Sequence, residues 1–130
     1  MEEVQSVNMN LLKAAKISTL LMMLLVLGQA MTGVGQIASD YDLNSLHTHS
    51  ARLGLVLGIL TAVAIVMSKT EDKKLKAFGF EIATFWLLMY GIGEMISGNG
   101  NLAMLHAPIG MLMFGRLMMM AKAYPSEDAE

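Results

Sequence analysis

Four apolar stretches, Leu20 to Ile37, Leu46 to Ser68, Phe78 to Ile96 and Leu102 to Ala121, constrain this chain more than any other feature. Each approaches the ~20 residues that an α-helix needs to cross the hydrocarbon core of a bilayer. With 55% hydrophobic and only 15% charged residues in a chain of 130, too little polar surface remains to cover four buried helices in water. The expected fold is all-α: an integral membrane four-helix bundle, one transmembrane domain over 1–130 with helices near 11–37, 46–68, 76–97 and 102–123.

Charge sets the expected topology. Lys13, Lys16, Lys69, Lys73, Lys74, Lys76 and Lys122 flank the ends that an even number of crossings puts on one side, and the opposite connections contain no lysine. The positive-inside rule therefore places both termini in the cytoplasm of a multi-pass plasma-membrane protein, with the lysines near anionic lipid headgroups. The acidic start and the glycine-rich continuation of the first apolar run argue against a cleaved signal peptide. A net charge of -2 gives no reason to expect nucleic acid as a partner. The absence of cysteine excludes thiolate metal ligation and covalent haem attachment, so any cofactor is held by nitrogen, oxygen or thioether.

A short motif occurs twice. Gly28-Gln29-Ala30-Met31-Thr32-Gly33-Val34-Gly35-Gln36 returns as Gly93-Glu94-Met95-Ile96-Ser97-Gly98-Asn99-Gly100-Asn101. His47-Thr48-His49 follows the first copy and His106 the second, each opening an apolar run. The pattern predicts two tandem helical hairpin repeats about a pseudo-twofold axis, with two imidazoles facing one another near the outer surface. The glycines permit close helix contact and also admit a flat macrocycle.

Ionisable groups within membrane spans are costly and mark function, which selects His47, His49, Arg52, Glu81, Glu94 and His106. Glu81 lies beside the lysine-rich turn, where pairing or snorkelling accounts for it. Glu94 stands at the motif position of Gln29 and is expected to face the same interior as the histidines. Two facing imidazoles supply both axial ligands of a haem iron, and Arg52 is placed to meet a propionate. His47 and His49 point about 200° apart on a helix, so only one of them faces His106. Depth favours His49, which precedes Gly58 by the interval at which His106 precedes Gly115. Ala51 four places after His47, like Gly110 four places after His106, favours His47 instead. Most of the 14 methionines are packing or lipid-facing residues, although Met31, Met95 and Met104 with histidine suit cuprous copper. Pro108 is read as helix-start chemistry.

Four helices with glycine-and-Thr/Ser signatures ending the first and third, and histidines opening the second and fourth, resemble one half of heme A synthase or a related small membrane b-type cytochrome. That family is built from two such bundles, and its compact archaeal members are similar to one. The resemblance implies that His106 and either His49 or His47 are axial ligands of a haem near the outer face. The family's catalytic half has a glutamate three residues before a histidine, where this chain has Asn44 or Leu46, and the outer cysteine pair of many members is missing. The half that holds haem b is thus the nearer analogue, and oxidation of a haem methyl group is not implied.

The expected function is haem b binding for electron transfer or haem handling, with Arg52, Gln29, Glu94 and Gly110 around the cofactor and membrane subunits or a redox partner beside it. The alternative is an accessory or assembly subunit of a larger membrane complex, with the histidines holding copper or a pigment. A transporter using Glu94 is a weaker third reading.

Overall fold

The computed structural model describes residues 6–96 and 98–126. Four helices follow in order: α1, Met9–Ala38; α2, Asn44–Met67; α3, Lys73–Ile96; and α4, Ala103–Ala123, the last preceded by a 3-10 turn, Gly100–Leu102. All four are long and apolar enough to cross a membrane. Each helix packs on two neighbours, α1 and α3 both lying between α2 and α4, and no backbone approach joins diagonal partners among the described residues.

Local chemistry starts and stops these helices. Asn8 Oδ1 accepts from the Leu11 amide at 3.2 Å to cap α1, and Asp72 Oδ1 accepts from the Leu75 amide at 3.0 Å at the start of α3. At the end of α1, Ser39 returns its amide to the Gly35 carbonyl at 3.0 Å. After α2, Lys69 takes a left-handed backbone with φ 59°, a conformation that usually falls to glycine at this point of a helix. The Asn8 amide reaches the Ser68 carbonyl at 2.8 Å, which fastens the start of α1 to the end of α2.

The buried core is displaced toward that end. Its last members in the other direction are Val26 on α1, Gly54 on α2, Trp86 on α3 and Met113 on α4; beyond them, toward the α1–α2 and α3–α4 connections, only Thr32 is buried among the described residues. Trp86 closes this core. Its indole lies across Gly54 and Gly58, a Cβ at Gly54 would fall inside the ring, and one at Gly58 would come within 3.0 Å of Cδ1. One turn separates the two glycines, so α2 offers a flat groove that admits an aromatic ring from α3.

Pro108 is the sixth residue of α4, past the first turn that the sequence suggested. It has no amide to return to the Met104 carbonyl, so the ladder of α4 is broken just after His106.

Candidate functional site

Above Trp86 the four helices meet through polar and small groups. The rings of His47 from α2 and His106 from α4 face across the bundle diagonal, with centroids 6.2 Å apart and planes tilted by 48°. Both residues are half-buried. A Cβ added at Gly33 of α1 would stand 3.5 Å from Cε1 of His47, and one at Gly93 of α3 would stand 3.5 Å from Cε1 of His106. Each imidazole thus lies against a glycine on the helix that precedes its own.

This pairing differs from the motif alignment, which matches Gly33 with Gly98 and Gly93 with Gly28. The first motif copy lies wholly within α1, whereas the second runs out of α3 at Ile96. Similar residues therefore occupy different heights. The burial pattern instead matches Ala15, Thr19, Met22 and Val26 with Leu75, Gly79, Ile82 and Trp86, and the same step carries Gly33 onto Gly93.

Thr32, one residue before Gly33, holds its Oγ1 2.8 Å from Nδ1 of His47. The same hydroxyl donates to the Gly28 carbonyl at 2.9 Å. A hydroxyl proton given to that carbonyl would make the oxygen an acceptor from Nδ1–H and would leave the lone pair on Nε2. Gln29 donates to the His47 carbonyl at 2.7 Å and to the Ser50 hydroxyl, which holds the first turns of α2 against α1. His106 is not held this way. Its Nδ1 is buried and has no hydrogen-bond partner among the described residues. Ile92 precedes Gly93 where Thr32 precedes Gly33, and an alkyl chain gives the imidazole nothing to bond.

His49 does not face His106; it is exposed on α2. The preference for it came from matching glycine heights, whereas the buried stripe through Gly54, Gly58 and Thr61 continues two turns back to His47. Glu94 is likewise exposed, because it follows Gly93, the residue that faces inward to His106. Arg52 is exposed and donates through Nε to Tyr90 Oη at 3.3 Å, joining α2 to α3. Gly110 borders Met89, whose methyl carbon would lie 3.2 Å from an added Cβ. Met31, Met95 and Met104 are all exposed and contribute no thioether to the histidine pair.

Sequence reasoning missed Arg116. Its guanidinium grips Glu81 with two hydrogen bonds of 2.6 Å and lies 4.8 Å from the Phe78 ring centre. Glu81 thus has its charge partner on α4 rather than in the lysine-rich turn. It missed Thr32 as a partner of histidine as well, although the Gln29–Thr32 spacing, one turn on one face, was visible.

Two imidazoles directed at one ion, with metal–nitrogen bonds of ~2.0–2.1 Å and ring centres ~1.2 Å behind the nitrogens, have centres ~6.4 Å apart. The observed separation of the ring centres, 6.2 Å, is of that order. No group of three or more histidine, cysteine or carboxylate side chains gathers among the described residues, at the histidine pair or anywhere else. Comparison with family models, with curated proteins and with solved structures finds no match.

Proposed function

We propose that this chain is a plasma-membrane haem b-binding protein, two helical hairpins with cytoplasmic termini, in which His47 and His106 are the axial ligands near the outer face. The observation that carries the reading is the 6.2 Å separation of the two rings across the diagonal. The Thr32 contact supports it too, since a hydroxyl that accepts from Nδ1–H would leave a lone pair on Nε2 of His47. Gly33 and Gly93 carry no side chain against the two rings, which would leave room for a flat macrocycle held by His47 and His106. Arg52 and Tyr90 are the outer-half groups that would meet propionates.

Bound haem would supply a one-electron couple. The chain would contribute two imidazoles, a hydroxyl beside Nδ1 of His47, and an amide from Gln29 that keeps α2 in place. Both axial positions are then occupied, which favours electron transfer or haem handling over oxygen chemistry. Cuprous copper with thioether help is the poorer fit, since Met31, Met95 and Met104 point away.

An oxidised-minus-reduced spectrum of detergent-purified protein, with pyridine extraction, tests the reading. A sharp low-spin b-type signal is the expected result. Protein that stays colourless after haem is supplied would overturn it and leave a subunit of a larger membrane complex as the better account.

A further inference from the structure

The two histidines are not equivalent, and we infer that His106 is the exchangeable ligand, which the site can trade for a small neutral diatomic molecule. The inference rests on the bis-histidine reading above and adds to it a binding activity.

His47 is restrained on three sides: Thr32 holds Nδ1 at 2.8 Å, Gln29 holds its carbonyl at 2.7 Å, and its Cε1 lies against Gly33. His106 shares only the glycine contact, through Gly93. Its Nδ1 is buried without a partner among the described residues, so turning the ring toward any donor or acceptor is favoured rather than opposed. The backbone beneath it is also less restrained. α4 starts from a 3-10 turn, Pro108 denies the Met104 carbonyl its amide, and no residue of α4 is buried before Met113. A ligand loses its metal most readily where neither ring nitrogen nor helix is restrained, and both conditions meet at His106. Gly93, which stands against the His106 ring, carries no side chain. Space vacated beside it suits a small guest.

The test uses the full chain loaded with haem in detergent, reduced with dithionite and mixed with carbon monoxide in a stopped-flow spectrometer. Wild-type protein is expected to exchange its low-spin spectrum for that of a carbon monoxide adduct. Ile92→Thr, which offers His106 the hydroxyl that Thr32 gives His47, should slow uptake on the order of ten-fold. Ile92→Val, with no hydroxyl, should keep the wild-type rate and so separates the hydrogen bond from altered packing. Uptake by Ile92→Thr at the same rate as wild type and Ile92→Val would place the exchange elsewhere than His106 and overturn the inference. Low-spin protein that takes up no carbon monoxide would also overturn it while leaving bis-histidine ligation intact, whereas wild-type protein with no low-spin haem would remove both.

Discussion

Thr32 and His47 meet beyond the core, at the end of the bundle that carries the α1–α2 connection: a hydroxyl on α1 lies 2.8 Å from Nδ1 of an imidazole on α2 and 2.9 Å from the Gly28 carbonyl. The contact orients the ring, the part that groups behind a histidine play wherever such a residue binds a metal.

Thr32→Val should therefore weaken haem binding by about ten-fold, and Thr32→Ser should recover most of the loss. Titration of purified protein with haem, followed by absorbance, reads both. Equal affinity in the valine variant would mean that the hydroxyl merely satisfies its own helix.

Replacing Gly54 by valine should destabilise the bundle by about 1–3 kcal/mol, since the added carbons fall on the Trp86 indole in a groove with no slack. Gly28→Ala, where a Cβ meets nothing within 4 Å, should stay within about 0.5 kcal/mol of wild type. Trp86 is the single tryptophan, so its fluorescence during denaturation reports on both variants.

Glu81 and Arg116 should show strong coupling in a double-mutant cycle. Arg116→Met alone leaves a carboxylate in the membrane span without its bidentate partner and should lower thermal stability more than Arg116→Met combined with Glu81→Gln. Additive losses would show that the pair is solvated independently of its geometry.

Tyr124 gives the protein an alkaline limit. Burial beneath α1 pushes its phenol up from the ordinary value of 10 to about 12, partly opposed by the Thr19 hydroxyl 3.0 Å away. The unfolded chain releases this proton near pH 10 and the folded chain near pH 12, so the contribution is whole below 10 and is lost as pH rises between the two. The loss amounts to about 2–3 kcal/mol at most. Stability measured from pH 9 to 12.5 should fall across that window in wild type and less steeply in Tyr124→Phe.

Lys69→Gly should stabilise the α2–α3 turn by about 1 kcal/mol, because lysine at φ 59° bears a steric cost that glycine does not. Thermal unfolding in detergent measures it; an unchanged midpoint would indicate that the lysine side chain recovers that cost through contacts of its own.

Much of the architecture was legible because it depends on local chemistry. A run of apolar residues long enough to span a bilayer must satisfy its own backbone, and in lipid that leaves a helix. Glu81 and Arg116 were harder to read: they lie on different helices, and nothing local to either residue identifies its partner. The Gly54–Gly58 groove was passed over for the same reason, since a pair of glycines acquires meaning only once an indole from α3 is set against it.

The sequence by itself determined four membrane-length helices, the short connections between them, and histidines placed near the start of the second and fourth. Tertiary structure decided which histidine faces His106. A helix rotates by about 100° per residue, so His47 and His49 cannot share a face, and the choice passed to the stripe of α2 that Trp86 buries. It also decided the register of the two hairpins, since matching letters at Gly28 and Gly93 yielded to matching depths at Gly33 and Gly93. Residue similarity along a chain says which groups are available, but only the packing of large side chains into grooves sets the height at which helices stop sliding and two imidazoles meet.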